Sequence, residues 1–122
     1  SGAEAPLADP VAMALLQHDY DPAHAEERLK ALATAGNEKA IKALMRMYWN
    51  SGRKDDRLEL AVFLPDDPRS LMLKSLYWER RAKDMDRALY YARAAVSSSC
   101  AQHLDALCVR AQARCDRLLK KT

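Results

Sequence analysis

Apolar and polar positions along the chain repeat with the period of amphipathic helices, and turn-forming residues divide this pattern into segments of roughly ten to twenty residues. Three Asp-Pro pairs, beginning at Asp9, Asp21 and Asp67, each place an N-cap residue before a proline at the first helical position. Gly36 and Gly52 stand where the end of a helix needs a left-handed residue. These signals predict seven helices, near residues 9–19, 22–35, 38–51, 54–64, 68–82, 84–98 and 101–120.

The composition favours an all-α protein. Strong helix formers dominate, there are only 3 glycines and 5 prolines in 122 residues, and no run of alternating β-branched residues predicts a strand. Because the predicted connections are short, consecutive helices should be antiparallel, as about three hairpins followed by a last helix. The polar run at 97–99 is interpreted as the break before that helix. The length suits one domain, predicted at 9–122, after a flexible N-terminal segment at 1–8.

A sequence echo indicates that the hairpins are repeats. The residues Tyr-Trp and Lys-Asp at positions 48–49 and 54–55 recur 29 positions later, at 77–78 and 83–84. This offset is close to the span of one helical hairpin, which is the unit of many repeat folds.

The helix predicted at 84–98 carries a stripe of small residues. Ala88, Ala92 and Ala95 lie at i, i+4 and i+7, on one face of that helix. Small side chains let a partner helix approach, and a large ring from the partner fills the space that they leave. We therefore predict that Tyr77 packs over this alanine stripe, and that Tyr48 is the seam residue of the preceding hairpin.

The segment ATAGNEKAIKALMRMYWNSG, residues 33–52, resembles the repeat junction of SEL-type repeats, which are short-loop relatives of the tetratricopeptide repeat. The family pattern of Gly-Asn, a small residue, Leu, Tyr and Gly is matched by Gly36-Asn37, Ala40, Leu44, Tyr48 and Gly52. AVFLPDDPRS at 61–70 resembles the proline-bearing turn of such repeats, and DRALYYARAA at 86–95 resembles their second helix. The resemblance implies a superhelix of stacked antiparallel hairpins, closed by a C-terminal capping helix.

The three cysteines allow two interpretations. The C-x7-C spacing of Cys100 and Cys108 resembles that of cysteine-rich exported SEL-type proteins, and this resemblance implies a disulfide that leaves Cys115 unpaired. The alternative is that all three are buried thiols on the apolar side of the last helix. The choice depends on whether the turn before that helix continues past Cys100, because residues eight apart in one helix are too distant to bridge.

No pattern in the chain predicts catalysis. The sequence lacks a His-Glu-x-x-His motif, a glycine-rich phosphate loop and a Gly-x-Ser-x-Gly motif, and its three histidines are scattered. We therefore expect neither an enzyme nor a metal site nor a cofactor. The net charge of +3 is too small to imply nucleic acid, and no apolar run approaches the length of a membrane span.

The aromatic and basic residues of the first helices in the hairpins give the best candidate for a binding surface. Trp49 and Trp78 lie about 100° around the helix from the predicted seam tyrosines, so they cannot share the same seam. On the concave face of a repeat stack, tryptophans with basic neighbours would form a peptide-binding groove. The candidate partner-binding residues are Lys42, Arg46, Trp49, Asn50, Lys74, Trp78 and Arg81. The alternative is that the tryptophans fill gaps between hairpins and the charges are solvated.

These observations favour a non-enzymatic scaffold or adaptor that binds a protein or peptide. An immunity or inhibitor protein that occludes a secreted toxin is an alternative within the same family resemblance, and a helical RNA-binding module is less favoured because of the small net charge. The resemblance and the cysteines also imply a bacterial protein that is periplasmic or otherwise exported, with a cytoplasmic location as the alternative.

Overall fold

The computed structural model describes residues 9–121, which form seven α-helices and one 3-10 helix with no strand among them. The all-α prediction is therefore confirmed. The predicted flexible segment 1–8 lies outside the described residues. The elements are α1 Pro10–Gln17, α2 Pro22–Thr34, α3 Glu38–Asn50, α4 Lys54–Glu59, the 3-10 helix Leu60–Phe63, α5 Pro68–Arg80, α6 Met85–Ala101 and α7 Asp105–Lys121.

The predicted helix starts and stops coincide with local hydrogen bonds. The side chain of Asp9 accepts from the backbone N–H of Val11, and the side chains of Asp21 and Asp67 cap α2 and α5 in the same way. Gly36 and Gly52 have φ angles of 91° and 69°, in the left-handed region that glycine tolerates best. These signals are local, so the sequence alone was sufficient to place them.

The chain divides into two compact units, one ending at Gly52 and one beginning at Arg53. In the first unit, α2 packs on both α1 and α3. In the second unit, α4 and the 3-10 helix pack on α5, and α6 packs on both α5 and α7. Within each unit, helices therefore pack on their sequence neighbours, as expected for a helical stack. Whether residues 9–122 form a single domain stays a prediction.

The first unit has a core made by one face of each of its helices. Alanines bring the helices close together, and leucine and tyrosine side chains fill the remaining space. Tyr48 is only 1% exposed, as predicted for a seam residue. The buried side chains are Val11, Ala14, Ala25, Leu29, Ala33, Ala40, Ile41, Leu44 and Tyr48.

The alanine stripe of α6 forms the centre of the second unit. Ala88, Ala92 and Ala95 are all fully buried. The hydroxyl of Ser75 on α5 donates to the backbone oxygen of Ala88 at 2.6 Å, which requires a close approach of the two helices. On the other side, Ala111, Cys115 and Leu118 of α7 contact the same stripe.

The large ring packed against Ala88 and Ala92 is that of Trp78, where we predicted Tyr77. The inward stripe of α5 consists of Leu71, Ser75 and Trp78, at i, i+4 and i+7. Tyr77 is about 100° away from Trp78 on the helix and meets the indole edge-on, with ring centroids 5.2 Å apart. The corresponding stripe on α3 ends at Tyr48, so the structural offset between the two helices is 30 residues, one more than the sequence echo.

The end of α6 differs from the prediction. The run 97–99 does not break the helix, because the buried hydroxyl of Ser99 donates to the oxygen of Ala95 at 2.6 Å and is satisfied within the helix. The chain instead turns after Ala101, where His103 adopts a φ of 57°. A glycine such as Gly36 marks a left-handed position in the sequence, but a histidine does not, so this turn could not be placed from the sequence.

The helix predicted at 54–64 also differs. Only Lys54–Glu59 is α-helical, and Leu60–Phe63 tightens into a 3-10 turn. Leu64, which precedes Pro65, is extended with a ψ of 150°. A residue before proline is sterically disfavoured in the α region, so the helix must end before it.

Candidate functional site

Four of the seven predicted partner-binding residues share one exposed face of α3. Lys42, Arg46, Trp49 and Asn50 are all exposed, and the opposite face is the buried seam of the first unit. The indole of Trp49 is 67% exposed, although it follows Tyr48 directly in sequence. We call these four residues the α3 face.

The two cations of the α3 face form no ion pair with any other described residue, although Glu38 stands one helical turn before Lys42. Among residues 9–121, no side chain forms an ion pair with Lys42 or Arg46. They stand at i and i+4, a spacing at which like charges repel across one helical turn. Lys39, one turn before Lys42, is bonded to Asp9 at 3.3 Å. Arg46, which has no carboxylate one helical turn away on α3, lies three residues before Trp49.

The other three candidates, two on α5 and Arg81 directly after it, are instead held by other side chains of the second unit. The ammonium group of Lys74 pairs with the carboxylate of Asp66 and lies 5.8 Å from the ring centroid of Tyr91. Trp78 packs on the α6 stripe, with the guanidinium of Arg87 at 4.6 Å from its ring centroid. For Trp78, the interpretation as a gap-filling residue fits this position.

Arg81 is also engaged in ion pairs. Its Nε donates to Glu59 at 2.7 Å, and its Nη1 lies 3.8 Å from a carboxylate oxygen of Asp55. The hydrogen bond to Glu59 raises the pKa of Arg81 above its ordinary value. The structure thus separates the candidates into an exposed set on α3 and an internally bonded set on α5 and at its C-terminal end.

A buried ionic network between α5 and α7 was not predicted from the sequence. Arg114 is 2% exposed, and its Nε donates to the hydroxyl of Ser75 at 2.8 Å. Its Nη2 donates to Glu79 at 2.8 Å, and Lys121 donates to the other oxygen of the same carboxylate at 2.6 Å. The one available signal was the place of Arg114 within the apolar stripe of α7, seven residues after Leu107 and three after Ala111.

The network keeps its members charged. Burial raises the pKa of Glu79, but hydrogen bonds from Lys121 and Arg114 outweigh it, so the pKa lies below the ordinary value for a glutamate. Burial lowers the pKa of Arg114, and the carboxylate of Glu79 opposes that effect. A carboxylate held ionised in this way is a weak proton acceptor, so the network joins helices better than it could transfer protons.

The turn at 102–104 decides between the two interpretations of the cysteines. Cys100 at the end of α6 and Cys108 in the first turn of α7 form a disulfide, with Cα atoms 5.1 Å apart. This is the pairing that the family resemblance implied, and the break lies between the two residues, where a bridge is feasible. Cys115 is a buried thiol, and burial raises its pKa, so it is not poised as a reactive thiolate.

Two further properties concern the part of the chain that the structure describes. Within residues 9–121, no group of three or more His, Cys, Asp or Glu side chains is placed to hold a metal ion. None of the helices in this part combines the length and the apolar character that a membrane span requires.

Compared with models of protein families, with curated proteins and with solved structures, the chain matches none of them. The resemblance to SEL-type repeats therefore stays a prediction that rests on the residues quoted for it.

Proposed function

We propose that this chain is a non-enzymatic module that binds a protein or a peptide through the α3 face. The observation that carries the proposal is the 67% exposure of Trp49 on a helix whose opposite side is firmly packed. Contact of the apolar indole surface with water is unfavourable, so burial of the ring by a partner contributes favourably to the free energy of binding. Tryptophan and arginine are also the residues most often responsible for binding energy at protein interfaces.

The packing of α3 supports a role as a rigid binding element. Leu44 and Tyr48 are buried on the side of the helix away from Trp49, so the backbone that carries the indole is fixed. Side chains held on a rigid helix lose less conformational entropy on binding than side chains on a mobile loop. The α3 face therefore combines an apolar anchor, two cations and a preformed backbone.

The distribution of perturbed charges also favours binding over catalysis. Glu79 and Arg114, whose pKa values both lie below the ordinary ones, are bonded to each other between two helices. They contribute to the fold of the second unit, which leaves the exposed face of α3 as the best candidate for function.

Affinity capture with three immobilised proteins tests the proposal. The wild type is compared with Trp49→Ala and with Tyr90→Ala, which removes a ring that is 66% exposed on α6. We expect the wild type and Tyr90→Ala to retain the same partner protein equally. Trp49→Ala should fail to retain that protein. Retention of the same partners by all three proteins would contradict the assignment of the α3 face.

Fluorescence of Trp49 gives an independent measurement. A Trp78→Phe variant leaves Trp49 as the only tryptophan, since the chain contains two. Its emission is expected at the long wavelength of a hydrated indole and should shift to shorter wavelength when the captured partner is added. An unchanged spectrum at saturation would mean that the partner does not cover Trp49.

A further inference from the structure

We infer that the partner segment of the α3 face is an acidic amphipathic helix, with one apolar side chain that covers Trp49 and carboxylates that pair with Arg46 and Lys42. This inference rests on the proposed function and adds the chemistry of the partner. It follows from the charge of the α3 face and from the spacing of its three long side chains.

The charge requires an anionic partner. Lys42 and Arg46 repel each other across one helical turn, and among residues 9–121 no carboxylate pairs with either of them. Lys39 differs, since Asp9 already binds it at 3.3 Å. A carboxylate placed between Lys42 and Arg46 would relieve their repulsion, and Arg46 could bind it through two parallel hydrogen bonds.

The spacing of the long side chains along α3 matches that of side chains on a partner helix. Arg46 and Lys42 lie three and seven residues before Trp49, which corresponds to about 4.5 and 10.5 Å along the helix axis. A second helix that lies alongside α3 presents side chains at i+3 or i+4 and at i+7, with the same axial spacing. An extended strand presents one face at intervals of about 6.8 Å, which matches neither distance.

The apolar anchor and the charges reinforce each other. When an apolar side chain covers the indole of Trp49, water is removed from the neighbouring turn of the helix. Attraction between Arg46 and a carboxylate then acts through a lower effective dielectric constant and becomes stronger than at an open surface. The α3 face therefore favours a partner that supplies both features at once.

A nucleic acid fits the α3 face less well. Two unpaired cations would neutralise only about two phosphates, which gives a small electrostatic contribution. The carboxylates of Glu38 and Asp9 flank Lys39 at the start of α3 and would repel a phosphate backbone that continued in this direction. A short acidic helix can end before it reaches them.

Binding of designed helical peptides to the intact chain tests the inference. The first peptide is alanine-based, with a central leucine and glutamates three, four and seven residues away on both sides, so that either orientation can bind. The second has lysine at each glutamate position, and the third has alanine in place of the central leucine. A single-stranded oligouridylate is the fourth probe, and fluorescence anisotropy of the labelled probes is the readout.

We expect the glutamate peptide to bind at least about tenfold more tightly than the lysine peptide, and more weakly as salt is raised. In Lys42→Glu/Arg46→Glu, this preference should reverse. A matched charge reversal on α7, Arg110→Glu/Lys120→Glu, changes exposed residues of the second unit and should leave the preference intact. The peptide without leucine should bind more weakly than the parent and should be insensitive to Trp49→Ala.

Each other outcome overturns a defined part of the argument. Equal binding of the glutamate and lysine peptides, tighter binding of the oligouridylate, or no saturation of the glutamate peptide by about 1 mM would each overturn the acidic partner. Retention of the captured protein by Trp49→Ala would overturn the proposed function itself, whichever peptide binds. If circular dichroism shows that Lys42→Glu/Arg46→Glu is unfolded, the peptide preference and the salt dependence of the wild type still test the acidic partner.

Discussion

The two Tyr-Trp pairs of this chain lie in different environments. In α3, Tyr48 is buried and Trp49 is exposed, whereas in α5 both rings are half-buried, with Trp78 packed on the α6 stripe and Tyr77 to the side. The two Tyr-Trp pairs are identical in sequence. Their roles differ because the core-facing stripe of α5 is displaced by one residue relative to that of α3, which turns the helix by about 100°.

This difference predicts unequal effects of replacing the two tryptophans. Trp78→Ala should lower the free energy of unfolding by about 2–4 kcal/mol, because it removes a ring packed on the α6 stripe and leaves a cavity. Trp49→Ala should change it by no more than about 0.5 kcal/mol, since the ring is mainly exposed. Urea denaturation of the two variants measures both values, and equal losses would contradict the packing described for Trp78.

The network of Glu79, Arg114 and Lys121 predicts a pH dependence. The folded pKa of Glu79 is lowered, so its contribution to stability is fully present above the unfolded pKa of about 4.3 and is lost as pH falls through the folded pKa. Glu79→Gln leaves the buried guanidinium of Arg114 without its counter-ion and should cost on the order of 3 kcal/mol at pH 7. The difference from the wild type should shrink at pH 3.

Denaturant unfolding at the two pH values checks this expectation. Glu59→Gln is the matched control, because it disrupts the exposed pair with Arg81 and should cost at most about 1 kcal/mol. A Glu79→Gln variant that is as stable as this control at pH 7 would mean that the buried network contributes no net stability.

At the scale of helices, the turn between α6 and α7 is closed by a covalent bond. The disulfide joins Cys100 and Cys108, and the turn contains His103 with a positive φ. A bridge across a loop of eight residues restricts the unfolded chain and is expected to contribute about 2.5 kcal/mol. The α6–α7 hairpin therefore depends on a covalent bond as well as on the packing of Leu107, Ala111 and Leu118.

Reduction of the disulfide gives a direct test. Cys100→Ser/Cys108→Ser, or the wild type in a reducing buffer, should unfold at a lower urea concentration by an amount that corresponds to about 2.5 kcal/mol. Cys115→Ala, which replaces a thiol that forms no disulfide, should show the same response to reductant as the wild type. Mass spectrometry after alkylation of the unfolded, unreduced chain should find one modified cysteine, and three would refute the bridge.

At the scale of the whole molecule, the two compact units predict different behaviour for fragments. The disulfide, the buried ion pair and the alanine stripe all lie within the second unit. A fragment of residues 53–122 should therefore keep a cooperative thermal transition by circular dichroism. A fragment of residues 1–52 contains no cysteine and is too short to bury a large core, so it should lose most of its helicity.

The same experiment tests the prediction of one domain at 9–122. If the fragment 53–122 shows no cooperative transition while the intact chain does, the second unit requires the first for folding. If it melts as the intact chain does, the second unit is an independent domain. Where the fragment shows a cooperative transition, its reduction serves as the internal control, since reduction should lower the transition temperature.

The sequence by itself determined the features that depend on local chemistry. The capping of α1, α2 and α5 by aspartates, the glycine stops at Gly36 and Gly52, and the amphipathic stripe of Ala88, Ala92 and Ala95 all follow from the preferences of a few adjacent residues. Four of the candidate binding residues lie together on α3 because helical spacing alone places them there.

Only the tertiary structure decided which large ring faces the core of the second unit and which cations are already paired. Trp78 is turned inward by the packing of α5 on α6, Arg81 is bound by Glu59 22 positions earlier in the chain, and Arg114 reaches Ser75 across 39 positions. These contacts join residues distant in sequence, and their energies depend on how closely two helices approach. Local preferences carry no information on that distance, so no pattern in the sequence could have distinguished Trp49 from Trp78.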